Sequence, residues 1–258
     1  MRGPFHRWPS RTVLKHSGSR LDLSVIIPTL NEEKAITETL RSLGAVSRVR
    51  EVIVSDGGST DATRTLARAA GARVIDAPRG RGSQLRAGAT QASGSVLWFL
   101  HADTRPACDA APLIQHAFVA PGVIGGSFRL RFDGDSKAAR FLTGLYPHLK
   151  HLGLSYGDAG LFVQRDAYEE AGGFRDHPLF EDLDLIRRLR QRGILCLVPA
   201  PLVTSSRRFE GRNFAAIFAG WTLLQVLFWL RVPPATLARL YPVVRERRMP
   251  PPPPPAIV

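Results

Sequence analysis

Short apolar runs alternate with stretches whose apolar positions recur every three or four residues through the first hundred residues of ordered-looking chain. Leu21-Asp-Leu-Ser-Val-Ile-Ile27, Glu51-Val-Ile-Val-Ser55, Arg73-Val-Ile-Asp76 and Val96-Leu-Trp-Phe-Leu100 have the β-branched and aromatic character of strands. Between them lie an amphipathic helix reaching about Leu43, a helix running to Ala70, and a basic, glycine-bearing helix entry from Arg79 to Gly88. This strand–helix alternation predicts an α/β fold, a mostly parallel central sheet with helices on both faces. Past Thr104 the pattern loosens. Gly122–Phe132 reads as a strand with a glycine-marked bend, Lys137–Leu149 as a helix, and Tyr156–Val163 as a strand with a polar entry. Phe180–Arg190 reads as a helix, and Ile194–Val198 as a strand followed by Pro199 and Pro201. Phe214–Leu230 is apolar almost throughout, with Thr222 and Gln225 the exceptions, and Ala235–Tyr241 resumes as a short helix.

The polar residues gather where the strands end. In open α/β sheets that rim is where ligands bind, so His101 and Asp103, just past the buried run Val96–Leu100, would face a cleft. Asp103 there either caps the next turn or holds a hard divalent cation and, through it, phosphates. Thr29 and Glu32 have the spacing of a capping box for the first helix, which does not exclude a ligand contact at the same helix end. Asp56-Gly-Gly-Ser-Thr-Asp61 allows a sharp turn after the second strand, with Ser59 or Thr60 placed to cap the next helix. Arg79-Gly-Arg-Gly-Ser-Gln-Leu85 is not a dinucleotide fingerprint, because Leu85 stands where the third glycine is needed and the stretch follows the third strand. It remains a phosphate-binding turn in character. Phe180-Glu-Asp-Leu-Asp begins a helix with acids and ends it with arginines, which also suits the helix dipole alone.

Composition narrows the class. The chain of 258 residues is 44% apolar and 22% charged, ample for a packed core. Cys108 and Cys196 have no paired spacing, which argues against a disulfide framework or a zinc site and suits a reducing compartment. The net charge of +13 is concentrated in the flanks: residues 1–20 carry +5, residues 211–258 another +5, and the body between them only +3. Basic flanks favour an anionic surface, and without aromatic-interleaved basic patches a nucleic-acid partner is not expected. Residues 1–20 hold no apolar run of secretory length.

The motifs taken together resemble the family 2 glycosyltransferases with a GT-A fold. They are Val25-Ile-Ile-Pro-Thr-Leu-Asn-Glu32, Val52-Ile-Val-Ser-Asp-Gly-Gly-Ser-Thr-Asp61, His101-Ala-Asp103, Gly157-Asp-Ala-Gly160 and Glu181-Asp182, in the family's order over roughly residues 21–210. The resemblance implies transfer of a sugar, with inversion, from a nucleotide-sugar donor, most often a UDP-sugar, to an acceptor that it leaves unassigned. Pro28, Thr29, Glu32 and Asp56 would line the nucleotide pocket. Arg79, Arg81 and Arg207 would lie near the diphosphate, and Gly157 and Asp158 near the acceptor. Asp103, with His101, would bind Mn²⁺ or Mg²⁺, and Asp182 of the Glu181-Asp182 pair would be the catalytic base. The triplet departs from the family pattern, since His101 stands where an acid is usual. An imidazole favours Mn²⁺ over Mg²⁺; the departure also leaves open a nucleotide-sugar-binding protein that has lost turnover. The form Phe99-Leu-His-Ala-Asp-Thr104 resembles a small bacterial subgroup named by association with arsenosugar and radical-SAM pathways, which assigns no substrate.

The expected organisation is a disordered basic arm (1–20), a GT-A domain (21–210), C-terminal helices (211–245) and a disordered proline-rich tail (246–258). Phe214–Leu230 is short for a membrane crossing. Being apolar nearly all round and flanked by Arg212 and Arg231, it fits either peripheral association with the cytoplasmic face of the cell membrane or burial in a homodimer.

Overall fold

The computed structural model describes residues 21–134, 139–145, 159–206 and 214–241. The expected basic arm and proline-rich tail lie outside these residues, as do Gly157, Asp158 and Arg207. Eight strands form one sheet: β1 (Leu23–Thr29), β2 (Val49–Asp56), β3 (Arg73–Asp76), β4 (Val96–Phe99), β5 (Thr104–Pro106), β6 (Val123–Phe132), β7 (Phe162–Gln164) and β8 (Ile194–Thr204). Their order is β3-β2-β1-β4-β7-β6-β8-β5. The half β3-β2-β1-β4 is parallel, and β6 pairs with β8 in the same sense, whereas β7 runs antiparallel to both β4 and β6 and β5 to β8. Nine helices accompany the strands among the described residues: α1 (Ile36–Gly44), α2 (Thr63–Ala69), α3 (Arg81–Gln91), α4 (Ala110–Ala117), α5 (139–145), α6 (Arg165–Glu170), α7 (Glu181–Leu189), α8 (Phe214–Trp229) and α9 (Pro234–Leu240).

The strand period of two divides the core into two layers. Val25, Ile27 and Trp98 project to one side and pack with Ile36 and Leu40 of α1 and Ile114 of α4. Ile26, Leu97 and Phe99 project to the other, against Leu85 of α3, Tyr168 of α6, Phe174, and Leu185 and Leu189 of α7. This second layer sets the spacing of α3 and α7, the two helices that carry the site. Two glycines let α3 come close. A Cβ on Gly88 would stand 2.4 Å from Ile26 Cγ2 and 2.6 Å from Ser55 Oγ, and one on Gly82 would stand 2.4 Å from the carbonyl oxygen of Arg175.

Several local expectations give way to tertiary contacts. β1 runs on through Pro28 and Thr29, and Thr29 pairs in register with Asp56. Its hydroxyl is therefore spent on Asp56 Oδ2 at 3.0 Å rather than on a helix cap, and α1 begins only at Ile36 with no side-chain cap. Ser59 and Thr60 likewise do not cap α2, which starts at Thr63 after an uncapped Ala62; both bind residues of the facing loop instead. β8 does not stop at Pro199. The β6–β8 register slips between Phe128 and Arg129, from Val198 to Pro201, and this bulge accommodates Pro199, whose missing N–H would interrupt a regular ladder. The expected strand 156–163 is confined to β7 among the described residues, and the expected helix 137–149 is described over 139–145. β5, α4 and α6 were not expected.

α8 ends in a paired reverse turn, with Val232 N–H bonded to Leu227 O and Arg231 N–H to Phe228 O, both at 3.0 Å. The residue at the left-handed position of such a turn is usually glycine, yet here it is Arg231, φ 64°. Leu224 and Gln225 of α8 are buried, while Leu223 (59%), Val226 (42%), Trp229 (55%) and Leu230 (70%) are open to solvent.

Gly88→Ala is expected to lower unfolding free energy by about 1–3 kcal/mol, since the methyl meets β-sheet side chains that cannot move aside freely. Gly44→Ala, with nothing within 4 Å of the new carbon, is the control and should be neutral or slightly stabilising. Urea midpoints of the two variants check this.

Candidate active site

The carboxyl ends of β1, β2 and β3 finish level, with Thr29 opposite Asp56 and Asp56 opposite Asp76. β4 lies on the other side of β1, and Leu100 N–H still bonds to Ile26 O before the chain leaves the sheet at His101. This is the place where parallel strand order reverses, and it opens a crevice at the strand ends.

One wall of the crevice is a laced pair of loops. Asn31, at φ 57°, accepts the Thr60 N–H on its Oδ1 at 2.9 Å and donates its own N–H to Ser59 Oγ at 2.9 Å. Glu32 N–H donates to Thr63 Oγ1 at 2.7 Å, and Glu33 Oε2 accepts the Ala62 N–H at 3.1 Å. Asp56 anchors the lacing from below with a fully buried side chain. Its Oδ1 accepts the N–H groups of Gly58 (3.1 Å) and Ser59 (2.8 Å), and its Oδ2 accepts the hydroxyls of Thr29 (3.0 Å) and Ser59 (2.5 Å). Burial is the largest influence on this carboxyl and pushes its pKa up, but the bonds from Ser59, Thr29 and Gly58 together outweigh it and hold Asp56 below the ordinary carboxylate range. Gln84 of α3 straps the strand ends, its Nε2 donating to Thr29 O (2.6 Å) and Ser55 O (3.0 Å). No local pattern within Arg79–Gly88 marks Gln84, because its acceptors are main-chain atoms on two other elements.

The opposite wall is built on one arginine. Arg81, the first residue of α3, pairs with Glu181 through Nε, lies 3.0 Å from Asp182 Oδ2 through one terminal nitrogen, and 3.1 Å from His101 Nε2 through the other. A guanidinium has no acceptor, so His101 Nε2 accepts and the ring carries its proton on Nδ1. Glu181 and Asp182 begin α7 behind Phe180, which takes a left-handed φ of 62° and packs at a tilt against Phe228 of α8, ring centroids 5.0 Å apart. Both acids are nearly buried. Burial, chiefly, and the neighbouring Asp182 charge push the Glu181 carboxyl up, and Arg81 draws it back only in part.

Of the residues expected from sequence, Thr29 and Asp56 meet on the loop wall, and Arg81, His101, Glu181 and Asp182 meet on the other. Pro28 stands at the end of β1 and Glu32 in the laced loop. Arg79 is exposed in the turn before α3, and Asp103 is half-buried in the turn between β4 and β5. Among the described residues no three His, Cys, Asp or Glu side chains gather as a chelating cluster. Once Arg81 releases His101 Nε2, one imidazole and one carboxylate, His101 and Asp103, suit a divalent ion whose other ligands are substrate phosphates and water. Cys108 and Cys196 are both free, and burial pushes the Cys196 thiol up to about 12, so neither belongs to this chemistry.

A half-parallel sheet sandwiched by helices, with a crevice at its strand switch, an acidic pair and a turn-borne His-Ala-Asp, defines a GT-A enzyme scaffold. The chain belongs to the glycosyl transferase family 2, whose model matches residues 24–173. The match ends before α7, so Glu181 and Asp182 are joined to it by the fold. A curated relative, glucosyl-3-phosphoglycerate synthase of Mycobacterium tuberculosis, is 32% identical over 119 residues, which cover 42% of this chain and 36% of that protein. The crystal structure of that synthase with Mn²⁺, UDP-glucose and phosphoglyceric acid superposes with TM-score 0.55 at 24% identity, over 77% of this chain and 75% of the other. The mannosyltransferase PcManGT of Pyrobaculum calidifontis, in complex with GDP-Man and Mn²⁺, superposes with TM-score 0.62 at 21% identity, covering 86% of this chain and 69% of that one.

Asp56→Asn should destabilise the protein by about 1–3 kcal/mol at pH 7, because the amide offers one acceptor atom to four donors. A carboxylate held below its ordinary range stabilises the fold above that range and stops doing so as pH falls through its folded value. The gap between wild type and Asp56→Asn should therefore close below about pH 4. Thermal unfolding of both proteins across acidic pH measures it.

Proposed function

We propose that the protein transfers a sugar from a nucleoside-diphosphate donor to an acceptor hydroxyl or carboxyl, with inversion at the anomeric carbon. The observation that carries this reading is the convergence of Arg81, His101, Glu181 and Asp182, drawn from three separate parts of the chain, at the strand-switch crevice. The nucleoside lies against the laced loops, with Pro28, Thr29, Glu32 and Asp56 forming that wall. Asp56 acts chiefly by shaping the 57–60 turn, since its oxygens are already engaged. The diphosphate lies at the amino end of α3, where Arg79, Arg81 and the first N–H groups of the helix favour an anion. A divalent ion held by His101 and Asp103 would neutralise charge on the leaving diphosphate.

Asp182 accepts the proton of the acceptor as its oxygen bonds to the anomeric carbon. The bond from that carbon to the diphosphate oxygen breaks on the opposite side, and the electron pair leaves with the nucleoside diphosphate. Before the donor arrives, Arg81 holds Asp182. A diphosphate that draws the guanidinium away frees the carboxylate, so the base becomes competent only once a donor is in place. Glu181, whose carboxyl burial pushes up, keeps Arg81 anchored to α7 during this exchange. The relatives in complex with UDP-glucose and with GDP-Man share this fold, so the preference for uracil rests on the loop motif and on the synthase. The exposed apolar side of α8 supports peripheral attachment to a membrane face; among the described residues no helix is long and apolar enough to cross one.

Asp182→Asn should reduce sugar transfer by about 10²–10⁴-fold while nucleoside diphosphate binding persists, since it removes the proton acceptor with little change of shape. The measurement is release of nucleoside diphosphate from a panel of nucleotide sugars, with and without a chelator, which should abolish release until Mn²⁺ or Mg²⁺ is restored. Donor binding without turnover in wild type, across donors and acceptors, would point instead to a binding protein.

A further inference from the structure

On the flank of α7 away from the sheet, a cavity of about 480 Å³ lies between α7 and the carboxyl end of α8. Its polar lining is dominated by Arg187, Arg190 and Arg231, its apolar lining includes Ile186, Phe228 and Trp229, and no Asp or Glu among the described residues contributes to it. Arg187 and Arg231 bring two basic side chains to this lining from two separate elements. Such a pocket favours a ligand bearing negative charge, and guanidinium geometry favours phosphate oxygens. The backbone gives a second indication. Arg231 holds the left-handed position in the turn that closes α8, where glycine is the ordinary residue, and this turn sets its basic side chain in the pocket lining.

The surroundings of the pocket indicate where its anion comes from. Trp229, itself part of the lining, is 55% exposed, and Leu230 beside it is 70% exposed. Leu223 and Val226 continue the same open face of α8 at helical spacing. A soluble phosphate has no use for an apolar rim. An anionic phospholipid does, because its phosphate enters the basic pocket while the rim rests among the acyl chains just below the head groups. The geometry points to a head-group site: the cavity between α7 and α8 takes the phosphate of an anionic membrane phospholipid and seats the apolar face of α8 in the leaflet. This rests on the membrane attachment put forward above and adds to it a discrete site with named ligands. The site also touches the chemistry, since α7 begins at Glu181 and Asp182 and Phe180 packs against Phe228, a lining residue. A seated lipid thereby bears on α7, the helix that carries the acidic pair.

The test compares full-length wild type with Arg187→Gln/Arg231→Gly and with the charge-matched control Arg41→Gln/Arg68→Gln on α1 and α2. Partition is measured onto vesicles of phosphatidylcholine alone and of phosphatidylcholine with phosphatidylglycerol. Arg231→Gly puts glycine where the turn prefers it, so a folded variant is expected, and its thermal midpoint should equal or exceed that of wild type. Wild type and control should bind the phosphatidylglycerol vesicles alike, and the pocket variant about 30-fold more weakly, as loss of two basic contacts to an anionic surface dictates. Nucleoside diphosphate binding should be unchanged in all three. Equal loss in pocket variant and control overturns the proposal in favour of diffuse charge. Equal binding of wild type to both vesicle types overturns the head-group site while leaving membrane attachment standing, and failure to bind either overturns both. Release from vesicles by millimolar inorganic phosphate, with saturable phosphate binding in their absence, overturns the lipid as the source.

Discussion

The acidic wall of the crevice depends on one guanidinium. Glu181 and Asp182 are adjacent acids, nearly buried, at the start of a helix packed on the core. Two such carboxylates cannot share a desolvated site without a cation, and Arg81 supplies it from the first turn of α3. Removing one partner of a fully buried pair costs about 3–5 kcal/mol; Arg81 is 36% exposed, so the cost here is smaller. The pairing also explains the glycines of α3. Gly88 lets the helix close on Ile26 and Ser55, and Gly82 lets its first turn pass the carbonyl of Arg175 on the approach to α7. Without those approaches neither Arg81 nor Gln84 would reach its partners.

An arginine shared between two acids and an imidazole holds the site together and can still exchange partners. It is part-exposed, it sits at a helix amino terminus that itself attracts anions, and its partners include the residue best placed to accept a proton. Competition between carboxylates and a diphosphate for one cation would couple occupation of the donor site to availability of the base without any large movement. On the far side of the crevice the lacing of Asn31, Ser59, Thr60 and Asp56 is centred on a carboxylate rather than a cation: the Asp56 carboxylate is engaged by main-chain N–H groups and hydroxyls. One wall is thus held by hydrogen bonds, and the other by a cation that can change partners.

Much of this was legible in the chain. The apolar runs at 23–29, 49–56 and 96–99 are strands, and the polar residues after them form the crevice, because strand period and strand-end chemistry are local properties. What was not legible depends on contacts across the chain. The capping readings for Thr29, Ser59 and Thr60 failed because parallel register brings Asp56 beside Thr29 and puts Asn31 opposite the 58–60 turn. The continuation of β8 through its prolines depends on a bulge set by β6, and Gln84 binds main-chain atoms that no spacing rule identifies. Arg81 was marked by its glycine neighbours as basic near phosphate; that it also clasps Glu181, a hundred residues on, belongs to the packing of α3 on α7 alone.

The double commitment of Arg81 is tested most directly by calorimetric titration of wild type and Arg81→Gln with a nucleoside and with its diphosphate, in the presence of Mn²⁺. Wild type should bind the diphosphate much more tightly than the nucleoside, and that advantage should largely vanish in Arg81→Gln while nucleoside binding on the loop wall stays the same. An Arg81→Gln protein that keeps the full preference for the diphosphate would contradict an exchange of this cation between acid pair and donor.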